Sequence, residues 1–197
     1  YQQLNLKEEA LKVFALTVPN AEIIYWMAFL ENKAVDLSKI QPGTSFPFRP
    51  ETAEILEKLI QTNGQWQLKY HLALIEWNRN TLSKAKELFL QCGSQPADPA
   101  FYAAKAALMK EDAPLVVSSL QQAIKLDNQS WRYPKLLAEH YINQKQYDKA
   151  LAIAAPFYKQ HSTNYIMGML YAKTLLLNKN LNPLDPLKRK ILFRPLH

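Results

Sequence analysis

Four histidines, His71, His140, His161 and His197, and one cysteine, Cys92, are the side chains of this 197-residue sequence best suited to proton transfer, nucleophilic attack or metal ligation near neutral pH. Their spacing does not assemble a site. No HExxH pair, glycine-rich phosphate loop, GxSxG elbow or paired cysteine motif occurs. Glu139 and His140 are adjacent, and on a helix neighbours point about 100° apart, so they do not share a metal. Cys92 falls where a helix needs a small buried residue, which makes it a packing thiol. The sequence therefore calls for no catalytic residue, no metal and no cofactor.

Composition narrows the class. Hydrophobic residues make up 48% and charged residues 21%, too apolar for a disordered chain. Only 4 glycines stand against 12 prolines, which favours helices on short connections over a turn-rich sandwich or barrel. No run approaches the roughly 18 apolar residues of a membrane span. The charge of +7 is not gathered into a phosphate-binding stripe: +3 of it lies in residues 180–197, with Lys188, Arg189, Lys190 and Arg194 against Asp185. Nucleic acid is accordingly not an expected partner. The chain opens on Tyr1, and we read it as a piece of a longer protein. A cytoplasmic home is slightly favoured, with the periplasm the alternative if the parent carries a signal peptide.

The elements that would position any site recur. Residues 130–162 read as a helix with apolar Leu136, Leu137, Tyr141 and Ile142, a polar turn, and a second helix with Tyr147, Ala150, Leu151, Ala154 and Phe157. A small residue of the first helix repeats at Ala73, Ala104, Ala138 and Ala172, at spacings of 31, 34 and 34. The second-helix crossing repeats at Ala85, Val116 and Ala150, followed by Phe89, Leu120 and Ala154. Helices approach to about 8–10 Å only across short side chains, so Ala104 and Ala138 are expected at tight contacts. The pattern looks like that of the tetratricopeptide repeat, whose period is 34 residues. It predicts an all-α, right-handed superhelical stack of antiparallel helix pairs over residues 1–179, with an irregular insertion at 32–50 and a basic tail at 180–197. Trp66 and Trp131 open helices where they could staple one pair to the next.

The insertion ends in "TSFPFRPE", 44–51. Proline restricts the residue before it to extended backbone, which alternates side chains. Phe46 and Phe48 are expected to point together into the seam between the helices at 20–31 and 51–62, with Arg49 outward. Asn20 caps the first of those helices, Pro50 opens the second, and Gly64 suits its C-terminal cap.

"FPFRPE" at 46–51, "NGQWQLKYHLAL" at 63–74, "DPAFYAAKAAL" at 98–108 and "NQSWRYPKLL" at 128–137 together carry a more specific resemblance. They resemble the C-terminal helical region of a family of large bacterial proteins of unassigned function, frequent in Bacteroidetes. In that family a galactose-mutarotase-like β-sandwich precedes tetratricopeptide repeats. The resemblance covers about residues 20–160 and implies that any sugar-binding part lies elsewhere in a longer chain.

Function then follows as a non-enzymatic protein-binding or scaffold module. In such arrays first-helix side chains turned from the partner helix line a groove. The register places there Tyr25, Phe29, Tyr70, Leu74, Trp77, Phe101, Lys105, Arg132, Lys135, Glu139, Met169 and Lys173. Its partner would be a protein or peptide, with an upstream domain of the same chain a candidate. The alternative is an accessory part of a carbohydrate-active enzyme that lends groove aromatics to a sugar site. The clamp that some repeats of this class use for chaperone tails needs lysine and asparagine where Tyr70 and Leu74 stand, so that ligand is disfavoured.

Overall fold

Proline, asparagine or aspartate sets half of the described helix starts, and short polar turns set the reversals. A computed structural model describes residues 6–40, 46–94 and 96–179. Among the described residues there are ten α-helices and no strand. They are α1 (Lys7–Ala15), α2 (Ala21–Glu31), α3 (Pro50–Thr62), α4 (Trp66–Asn78), α5 (Leu82–Gln91), α6 (Pro99–Leu108), α7 (Ala113–Leu126), α8 (Arg132–Asn143), α9 (Tyr147–Gln160) and α10 (Tyr165–Leu177). None is long and apolar enough to cross a membrane. The chain divides into two compact units, Tyr1–Met109 and Lys110–His197. The basic tail and His197 lie outside the described residues.

The caps follow elementary chemistry. Asn20, Asp98, Asp112 and Asn164 each accept a hydrogen bond from a backbone N–H in the first turn that follows. Pro50, Pro99 and Pro114 sit in first turns, where their missing N–H costs nothing. The helix ends at α4 and α8 close in the same way. Asn80 and Lys145 adopt positive φ of 63° and 56°, and the next residue's N–H returns five positions, Thr81 to Glu76 and Gln146 to Tyr141. This left-handed turn satisfies orphan carbonyls and reverses the chain within three residues. These two turns are 65 residues apart, the sum of two repeat spacings. Gly64 takes no such role: Asn63 caps α3 in extended backbone, and Gly64 has no positive φ.

In the first unit each helix packs on the next, from α1 through α6. Ala73 and Ala85 are fully buried where α4 meets α5. Tyr70, Phe89 and Phe101, one from each of α4, α5 and α6, pack with ring centroids 5.2–5.6 Å apart. Trp66 joins them edge-on to Phe101 at 5.8 Å, tying α4 to α6. A chain of hydrogen bonds links α2 to α3: Trp26 Nε1 donates to Thr52, and the Thr52 hydroxyl donates to Glu22.

In the second unit α7 packs on α8, α8 on α9 and α9 on α10. Ala138, Ala154, Met167 and Leu170 form its centre, with Trp131, Ile153, Phe157 and Tyr171 against them. The second-helix positions Val116, Ala150, Leu120 and Ala154 are all buried. The first-helix series is less uniform: Ala138 is fully buried, but Ala104 and Ala172 are half-buried. In α6 the short residue at full burial is Ala106, two positions on, because Phe101 and Tyr102 turn inward.

The insertion corrects a sequence expectation. Alternation holds along 46–48, but in the opposite phase: Pro47 is buried, while Phe46 is 48% and Phe48 65% exposed. Burying the proline ring leaves Phe48 outward, while Phe46, about half exposed, keeps its ring edge-on to buried His71 of α4 with centroids 6.4 Å apart. Arg49 faces outward as expected, 3.8 Å from Glu22. Leu136, read as a core position, is likewise 40% exposed.

Ala138→Leu should cost roughly 1–3 kcal/mol by overpacking a site with no exposed surface. Phe48→Ala should change stability by no more than about 0.5 kcal/mol, as an exposed side chain does. Urea unfolding of both variants checks the pair, and equal losses would contradict this burial pattern.

Candidate functional site

The reactive side chains are occupied by structure. His71 is fully buried, with Nδ1 2.6 Å from the Tyr25 hydroxyl. Burial pushes the Tyr25 phenol above its usual range, so it stays protonated as a hydrogen-bonding group. Glu139 is held by Lys135 at 2.9 Å and His140 lies against Tyr141, so the adjacent pair converges on nothing. No cluster of His, Cys, Asp and Glu among the described residues could hold a metal.

Glu76, only 3% exposed, is the buried carboxylate that sequence reading missed. Lys84 reaches it at 3.1 Å and Arg79 at 3.6 Å, and Lys84 also pairs with Glu57. The Glu57 bond, with Glu76 behind it, holds the Lys84 ammonium above its ordinary pKa. Lys84 follows Glu76 across the α4–α5 turn, and that is the single signal the sequence offered. The carboxylate is neutralised within the fold by these cations.

Cys92 caps α5 at 3% exposure, its thiol donating to the Leu88 carbonyl at 3.2 Å. Burial pushes it up to about 12 in spite of the opposing charges of Lys69 and Lys105. It lies under an open cleft of about 630 Å³ between the ends of α4 and α5, with Gln65, Trp66, Lys69, Gln91 and Ser94 around it.

The groove residues divide. In the first unit Tyr25, Tyr70 and Phe101 are buried, between 0 and 1% exposed, and belong to the core. Their ring area is worth more in the Tyr70–Phe89–Phe101 cluster and against His71 than on an open face. Leu74, Trp77 and Lys105 are half-buried, and Phe29 is covered by the Lys58 ammonium 5.1 Å from its centroid. In the second unit none of the five is buried: Arg132, Lys173 and Met169 are exposed, Met169 at 52%, and Lys135 and Glu139 are half-buried with 30% and 41% of their side chains exposed. Their helices, α8 and α10, touch directly. Beside them lie Leu136 and Tyr165, both exposed and neither expected there.

This fold is a tetratricopeptide-type arrangement of helix pairs, and solved structures share it. The chain resembles YrrB, described as a TPR protein with an unusual peptide-binding site, at 14% identity and a TM-score of 0.56, over 67% of this chain and 70% of that one. It resembles the AMB-1 form of MamA at 12% identity and 0.59, over 71% and 79%. TTC0263, a thermophilic TPR protein of Thermus thermophilus, matches at 20% identity and 0.51, over 88% and 89%. No family model matches the chain, and no curated protein does.

Cys92 should resist alkylation by iodoacetamide at pH 8 in the native protein and react readily once unfolded. An unfolded thiol ionises near 9.0 and the folded one near about 12, so in that window the folded state binds more protons. Stability should therefore fall as pH rises above 9, and Cys92→Ser should shallow that fall. Rapid native labelling would contradict the burial.

Proposed function

We propose that the chain is a non-enzymatic protein-binding module, serving as the helical-repeat part of a larger multidomain protein. The observation that carries this is the open first-helix face of the second unit, where Arg132, Lys135, Glu139, Met169 and Lys173 all remain accessible on adjoining helices. A fold of paired helices stabilises such a face without using it, so its apolar and charged side chains are free to bind. The fold match to a TPR protein with a peptide-binding site supports the same reading, with a protein or peptide as partner. An upstream domain of the parent chain is one source of that partner. Of the aromatics that an accessory sugar site would use, Tyr25, Tyr70 and Phe101 are buried and only Phe29 and Trp77 are half-buried, which favours the binding module over that alternative.

A photo-crosslinking amino acid at Met169, compared with one at exposed Glu54, tests the reading in cells. Met169 should capture a discrete protein partner and Glu54 should not. A glycan panel incubated with the purified chain should show no turnover. Turnover abolished by Glu139→Gln would replace the module with an enzyme.

A further inference from the structure

The open face of α8 and α10 has a definite charge. Arg132, Lys135 and Lys173 stand against one carboxylate, Glu139, and Lys135 already neutralises it at 2.9 Å. Arg132 and Lys173 make no ion pair with any described residue. On the same two helices Leu136 is 40% and Met169 52% exposed. We infer that this face takes an acidic segment with apolar anchors, carried within another polypeptide; the inference rests on the binding-module reading above.

Charge complementarity selects the occupant. Two uncompensated cations on helices that also expose apolar side chains attract carboxylates and steer them onto the surface before those side chains are covered. Met169 is unbranched and adapts to an apolar side chain of varied shape. A second copy of this chain would bring a like charge of +7, and residues 180–197 would bring +3, so neither complements the face. Nucleic acid would meet Glu139 and the apolar side chains where it needs cations. The 12 residues of α8 extend about 18 Å, the reach of about five or six residues of extended ligand.

Fluorescence anisotropy tests the assignment with synthetic peptides of about twelve residues, amidated at the C-terminus and spanning that reach. One alternates Glu and Asp with Leu; one carries Lys for each acid; one carries Ser for each Leu; one carries Ser for each acid. Single-stranded DNA is a further probe. The acidic–apolar peptide should bind about tenfold or more tighter than every other probe, about 1.4 kcal/mol, and should weaken as salt rises. Arg132→Glu with Lys173→Glu should lose that preference, while the charge-matched Lys12→Glu with Lys110→Glu should keep it, both folding normally by circular dichroism. Equal binding of the Lys peptide, equal loss in the control variant, or tighter DNA binding through Arg132 and Lys173 would overturn the acidic assignment. So would equal binding of the Ser-for-acid peptide, but that result would leave the module itself standing. Failure of every peptide, with no crosslink at Met169, would overturn both.

Discussion

The close approach of paired helices is the constraint on which the rest depends. Ala73, Ala85, Ala138 and Ala150 have essentially no exposed surface, and each lies where a longer side chain would hold two helices apart. Once those contacts form, each helix's large apolar residues are carried to fixed places: Leu72 and Ile75 in the first unit, Leu137 in the second. The turns reinforce this. A left-handed residue after α4 and after α8 ends each helix with its carbonyls satisfied, so the next helix returns along it at once. At the end of α2, Asn32 makes the same turn, with φ of 54° and Lys33 N–H returning to Ala28, yet only a single 3-10 turn, Leu37–Lys39, follows in place of an α-helix. The chain instead runs through Val35 and Ile40, both buried, before α3 takes up the packing on α2.

That arrangement explains which parts were legible in the sequence. Small residues at fixed spacing report a steric requirement, and a steric requirement has few solutions. The second-helix positions Ala85, Val116 and Ala150 are therefore buried as read, as is the pair Ala73 and Ala138. Ala104 is half-buried instead: α6 carries several alanines, and with Phe101 and Tyr102 inward the buried one is Ala106. In an alanine-rich helix a register slip changes little volume, so periodicity alone does not choose.

The groove and the insertion were harder, for a different reason. Whether an aromatic lines a face or fills a core depends on neighbours far away in sequence. Tyr70 is held by Phe89 and Phe101, and Tyr25 by His71, 46 residues on. No local pattern announces those partners. At 46–48 the alternation was legible but its phase was not, since Phe and Pro are both apolar and either set could turn inward. Pro47 is the one buried, and the two phenylalanines stay outside.

Charge separates the two units in a way the total of +7 conceals. In the first unit several cations are already engaged: Lys84 and Arg79 on buried Glu76, Arg49 near Glu22, Lys58 on the Phe29 ring. Glu76 explains part of this, because a carboxylate at 3% exposure is stable only with cations beside it. The second unit buries no carboxylate of that kind among the described residues; its buried polar side chains are the hydroxyls of Ser119 and Thr174. Its interior is otherwise apolar, built mainly from alanine and leucine with Val116, Pro134 and Met167, and asks for no counter-charge. Arg132 and Lys173 stand at its surface with no ion pair to a described carboxylate, so their charge is not drawn on to stabilise a buried acid as that of Lys84 and Arg79 is.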